Sequence, residues 1–180
     1  MQNKTSDDFS GVRMTELMTP GDANFLGKVF GGAILSLLDK VAYVTASRHA
    51  GGICVTASFD RVDFHSPIEV GELVHCVGQV AYVGRTSLLV KIEVFAENLH
   101  THSQRHTNSC WVTMVAIDER GKPVQVPPLS ATTREQKIEF LKGHLLRELR
   151  KKQQNEFHQM IEEIESLPDE ALESRLQQIR

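Results

Sequence analysis

The sequence predicts an α+β fold in which one long helix is wrapped by a curved antiparallel sheet, with a helical extension at the carboxyl end. Three observations predict it. Residues 31–50 place apolar side chains on most sides of a helical wheel, a pattern that expects other structure around the helix. Runs at 53–64, 72–83 and 86–97, and a fourth, "SCWVTMVAID", then change the hydrophobic period to two, which is the period of strands. Beyond about residue 131 the spacing becomes helical again, with a different balance of charge.

Taken in order, residues 1–11 are polar and are expected to be loose. "VRMTELMTP" reads as a first strand ending at Pro20, with a loop to Phe30. In the helix that follows, Ser36, Lys40, Tyr43 and Ser47 form one narrow polar stripe, and "HAGG" supplies a glycine stop. In "TSLLVKIEVFAEN" the alternation is clean: Leu88, Val90, Ile92 and Val94 point one way, Lys91, Glu93 and Glu97 the other. "SPIEVGE" turns the chain before the second run, "GRTS" joins the second tightly to the third, and "ERGKP" closes the fourth. A strand, a buried helix and four long strands make a sheet curled on a helix, not the βαβ alternation of a parallel sheet.

In the tail, Ile138, Leu141, Leu145 and Leu149 recur at helical spacing, and residues 134–152 hold seven Lys/Arg against three Glu. Residues 156–173 hold seven Asp/Glu and no Lys or Arg, and Pro168 opens a short last helix. The expected organisation is a flexible start at 1–11, a sheet-and-helix domain at 12–130 and a helical extension at 131–180.

The composition is that of a globular chain: 41% apolar, 24% charged, 180 residues, enough for one ordinary core. A net charge of −3 argues against a nucleic-acid or anionic-membrane binder. "MQNKTSDDFS" has no apolar leader pattern, and no segment approaches the roughly 20 apolar residues of a membrane span. Cys54, Cys76 and Cys110 sit in apolar strand-like runs and read as buried free thiols of a reducing compartment. A soluble cytoplasmic protein is expected.

Several chemical patterns fail. "GDANFLGKV" has five residues between Gly21 and Gly27 and places Val29 where a P-loop needs a hydroxyl. His100, His102 and His106 lie in a polar stretch between two strands without Cys or carboxylate at ligand spacing, and read as a surface hairpin tip. No G-x-S-x-G elbow is present.

The stretch "NFLGKVFGGAILSLLD" carries more. Two adjacent glycines at a helix entry cost stability, but bare N–H groups there can polarise a carbonyl oxygen and let a substrate approach closely. Asp39 has Leu35, Ser36, Ala42 and Tyr43 as helical neighbours, so no cation neutralises it within the helix. Asn24 is a neutral donor and acceptor seven residues before the glycine pair. Arg147, Arg150, Lys151 and Lys152 form a basic block on an acidic chain, suited to a solvated face or a phosphate partner.

Together these residues resemble the hotdog-fold acyl-CoA thioesterases of the acyl-CoA hydrolase type. The likeness runs through "MTPGDANFLGKVFGGAILSLLD", "TASFDRVDFHSPIEVGELV", "YVGRTSLLVKIEVFAEN" and "CWVTMVAID", roughly residues 12–130 in consecutive order. It implies hydrolysis of acyl-CoA to free fatty acid and CoA, a helix wrapped by an antiparallel sheet, and dimers joined edge to edge that often form a trimer of dimers. It implies Asn24 and Asp39 as a catalytic pair from opposite subunits, and Gly32, beside Gly31, as the helix-start N–H facing the thioester oxygen. It places Gly84, Arg85, Thr86 and Ser87 along the CoA site. It requires no metal or organic cofactor other than the CoA of the substrate. The resemblance does not reach the His- and Thr-rich stretch at 100–107 or the tail past about 153. Two other classes compete. An acyl-CoA sensor would want an output domain resembling a helix-turn-helix, and a hotdog dehydratase would want a His near the helix, for which His49 and His65 are poorly placed.

Overall fold

The structure, a computed structural model, describes residues 11–60 and 62–179; the expected loose start lies almost wholly outside them. The described chain runs β1 (Val12–Leu17), a single 3-10 turn (Pro20–Asp22), α1 (Gly31–Ala50), β2 (Ile53–Phe59), β3 (Asp63–Phe64), β4 (Leu73–Val83), β5 (Ser87–Glu97), β6 (Gln104–Ile117), α2 (Arg134–Glu165) and α3 (Asp169–Ile179). It divides into two compact units, Met1–Leu141 and Lys142–Arg180.

In the first unit the sheet has the order β1-β4-β5-β6-β2, with β3 also pairing with β6, and every ladder is antiparallel. Helix α1 packs across all five long strands. Its buried face is Ile34, Leu37, Leu38, Val41, Ala42, Thr45 and Ala46. Against it lie Val74 and Cys76 of β4, Val90, Ile92 and Val94 of β5, and Val112 and Met114 of β6. Each such aliphatic side chain stabilises the fold by about 1.5–3 kcal/mol relative to exposure. The strand approaches closely at Gly78, where an added Cβ would stand 2.6 Å from both Val41 and Thr45. All three thiols are free and buried, and burial pushes those of Cys76 and Cys110 up to about 12.

Two boundaries differ from the sequence expectation. Strand β6 begins at Gln104, so only His100 and His102 belong to the turn; His106 is a strand residue whose Nε2 meets Glu93 Oε2 at 2.7 Å. The polar residues 104–109 hid that strand because they carry no apolar alternation of their own, although Arg105, His106 and Asn108 pair with Ala96, Phe95 and Val94 of β5. The 53–64 run is two strands, β2 and β3, separated where the chain leaves the sheet edge. Among the described residues no His, Cys, Asp and Glu group of three or more is disposed to hold a metal ion. No helix among them is long and apolar enough to cross a membrane.

The sheet covers one side of α1 only. Leu35, Asp39 and Tyr43 stay exposed on the other, and β2 at the sheet edge exposes Ile53 and Val55. An unpaired edge strand beside an apolar helix face is a surface that proteins rarely leave to solvent.

Candidate active site

Entry to α1 is built by a tight turn at 23–29. Asn24 N–H donates to Lys28 O at 2.7 Å and Gly27 N–H to Asn24 O at 3.0 Å, with Gly27 at φ +75. The Asn24 side-chain oxygen closes the same turn by accepting from the N–H groups of Leu26 (2.9 Å) and Lys28 (3.2 Å). With the oxygen committed to backbone, the Nδ2 amide is the part of Asn24 left to meet a ligand.

A second layer fixes that turn. Val29 N–H donates to Ile68 O at 2.9 Å, and Lys28 Nζ spans both carboxylate oxygens of Glu69 at 2.6 and 2.7 Å. The 65–72 segment is held in turn by Arg105 of β6, which donates to both oxygens of Glu72 (2.6 and 2.7 Å) and to Pro67 O (2.7 Å). Glu72 also accepts from Glu69 N–H at 2.9 Å. Its hydrogen bonds from Arg105 hold its carboxyl below the usual range, in spite of the burial that opposes ionisation.

The helix start is open. Phe30 occupies the N-cap position without a side-chain cap, and among the described residues no acceptor meets the N–H groups of Gly31 or Gly32. The first N–H groups of a helix have no intrahelical partner and carry its positive dipole end. A Cβ at Gly32 would stand 2.3 Å from the exposed Phe30 ring, so any larger residue here would have to displace that ring. A cavity of about 380 Å³ opens here, with Asn24 and Gly31 at its polar end and Val29, Ile34, Phe64 and Ile68 along its apolar wall. His65, which the sequence discounts as a strand-turn residue, also lines it.

Asp39 does not line that cavity. It stands about 12 Å along the helix from Gly31, at 1.5 Å per residue. There its Oδ1 accepts a 2.6 Å hydrogen bond from the Thr56 hydroxyl, while Oδ2 meets no donor among the described residues. Thr56 is the functional candidate that sequence reasoning missed. The signal was present in part: Cys54 is buried, and the alternation of β2 puts Thr56 on the same side of the strand, toward Asp39, while Thr56 itself stays exposed. The register of β2 on β6 shifts between Thr56 and Ser58, a bulge that re-aims the strand beside Asp39.

The remaining candidates stand on other elements. Gly84–Ser87 form the β4–β5 turn, closed by Gly84 N–H to Ser87 O at 2.8 Å, with Arg85 exposed. Arg147, Arg150, Lys151 and Lys152 lie on α2 in the second unit. Nδ1 or Nε2 chemistry at His49 is structural in character, its Nε2 meeting Pro127 O at 3.1 Å.

Residues 26–102 match the model of the Thioesterase superfamily. Protein VdlD of Helicobacter pylori is 43% identical over 140 residues, 78% of this chain and 79% of its own length. YkhA of Bacillus subtilis, described as an uncharacterized acyl-CoA thioester hydrolase, is 37% identical over 127 residues, 71% of this chain and 74% of its own. Among solved structures, an apo hexameric acyl-CoA thioesterase superposes with a TM-score of 0.77 at 40% identity, covering 81% of this chain and 94% of the other. The acyl-CoA hydrolase of Staphylococcus aureus, solved with butyryl-CoA, CoA and CoA disulfide, gives 0.76 at 30% identity, covering 87% and 96%. Alanine variants of that enzyme have been solved at one Asn, one Asp and one Thr, and their spacing along its chain equals that of Asn24, Asp39 and Thr56 here.

Proposed function

This chain belongs to the thioesterase superfamily and is an acyl-CoA thioester hydrolase, and on that premise we propose how its residues divide the reaction. The observation that carries the proposal is the separation just described: donors at one end of α1, a carboxylate two turns along it. Thioester hydrolysis needs both on one carbonyl. The Gly32 N–H, with Asn24 Nδ2 beside it, stabilises the oxygen as it becomes an oxyanion. Asp39 removes the proton from the attacking water, and the Thr56 hydroxyl holds one carboxylate oxygen so that the other faces the water. The tetrahedral intermediate then expels CoA as thiolate and leaves the free fatty acid. The CoA phosphates pass the Gly84–Ser87 turn, where Arg85 is exposed, and the reaction uses no cofactor beyond the CoA of the substrate. A chain of this kind works in the cytoplasm, where its thiols stay reduced.

The two halves meet across a dyad. An isologous dimer brings Asp39 of one subunit to Asn24 and Gly32 of the other, twice over. The exposed β2 edge and the Leu35–Tyr43 face supply the surface such a dimer needs, and three dimers make the hexamer. Complementation tests this directly, by release of free CoA thiol from a panel of acyl-CoAs. Asn24→Ala and Asp39→Ala proteins are each nearly inactive alone. Co-expressed in equal amounts with random pairing, they recover about a quarter of wild-type activity, and isolated mixed dimers about a half, because each mixed dimer keeps one intact site. Verified mixed dimers that stay inactive would show that the site is not shared in this way.

A further inference from the structure

Helix α2 carries an apolar stripe that stays exposed along its length. Along α2, Leu141, Leu145, Leu149, Phe157, Met160 and Ile164 are each between 40% and 66% exposed. Their spacing is symmetric. Leu141 with Ile164, Leu145 with Met160, and Leu149 with Phe157 share a common midpoint at residues 152–153. Turned end for end, the stripe meets its own pattern.

The two halves of the helix carry opposite charge. Residues 142–152 hold five Lys/Arg against Glu148 alone, whereas residues 153–165 hold four Glu and no Lys or Arg. A parallel pairing of two such helices would set cation on cation and carboxylate on carboxylate. An antiparallel pairing sets each basic half on an acidic half, with Lys142 opposite Glu163. We propose that α2 is a self-association surface whose occupant is the α2 of a second copy of this chain, running antiparallel about a dyad at residues 152–153. Isologous contact requires a patch that is complementary to itself, and here both the apolar and the charged patterns are. The sequence alone offers Arg147, Arg150, Lys151 and Lys152 to CoA phosphates; in the antiparallel pairing this basic half lies along the acidic half of the partner helix. This interface is additional to the dimer that assembles the active site and does not depend on it.

Cysteine cross-linking in the full-length protein tests the register and the direction together. The native thiols are buried, so an introduced thiol on α2 is the reactive one. Gln153→Cys stands on the dyad and is expected to form a disulfide with its own counterpart under a mild copper-phenanthroline oxidant. Leu145→Cys and Met160→Cys chains, tagged differently and co-expressed, are expected to cross-link to each other and neither to itself. Replacing both Leu149 and Phe157 by Asp buries carboxylates at the seam and is expected to reduce the Gln153→Cys cross-link about tenfold. Thioesterase turnover of each variant confirms that the first unit is folded. Self-linking of Leu145→Cys chains would establish parallel pairing and overturn the proposal, as would the absence of a Gln153→Cys cross-link in active protein.

Discussion

The two halves of the site are built to different standards of rigidity. Asn24 sits in a turn closed by four hydrogen bonds, tied through Lys28 to Glu69 and through Glu72 to Arg105 on a central region of the sheet. Asp39 stands on an exposed helix face with one partner, the Thr56 hydroxyl. The difference suits the work proposed for each. An oxyanion donor stabilises charge only if its position is set before the charge develops, since reorganisation during reaction would cancel the gain. A general base must instead keep one oxygen open to water, and a fully braced carboxylate would have none to offer.

Removing the base is the most damaging way to break this comparison. Asp39→Asn keeps the shape and the Thr56 contact but loses the proton acceptor, so kcat for acyl-CoA should fall by about 10²–10⁴-fold. Thermal melting and assembly, measured on the same protein, should match wild type; turnover close to wild type would remove Asp39 from the reaction. A milder change sharpens the contrast. Thr56→Val deletes a single hydrogen bond to a charged group, worth about 1.5–3 kcal/mol, so turnover should fall by about 10- to 100-fold, with KM little changed. Equal loss in kcat and gain in KM would instead place Thr56 in substrate binding.

The braced half should respond in stability before it responds in chemistry. Glu72→Gln weakens the Arg105 contacts and is expected to lower stability at pH 7 by about 1–3 kcal/mol. Because Glu72 has its carboxyl depressed below the ordinary value of 4.5, its contribution is fully present above that pH and is lost as the pH falls through the lower native value. Denaturant melts of the two proteins should therefore converge below pH 4.5. A difference that persists unchanged into acid would mean that Glu72 acts by shape and not by charge.

Much of this was legible along the chain. The limits of α1 and the alternation in β5 follow from hydrophobic period alone, because burial on a sheet is what that period reports. Gly32 and Asp39 stood out as residue types that cost stability where they occur, Asn24 as a neutral donor and acceptor before them, and the order of the family motif gathered them. Thr56 did not, because threonine is at home in a strand and only the side of the strand it shares with Cys54 marks it. His106 was misplaced in a turn because polar residues that pair with Glu93 across a strand leave no apolar rhythm.

What the sequence determined by itself is local: which segments are helix or strand, which face of each is apolar, and which side chains carry usable chemistry. Tertiary structure decided what those side chains meet. Asp39 gained Thr56 from 17 positions away, and Lys28 gained Glu69 from 41, through pairings that no local pattern encodes. It also left Asp39 outside the cavity that Asn24 and Gly31 line, since a helix advances a fixed 1.5 Å per residue and cannot bring Asp39 back to its own start. That rigidity is the physical reason the proposed reaction calls on a second subunit.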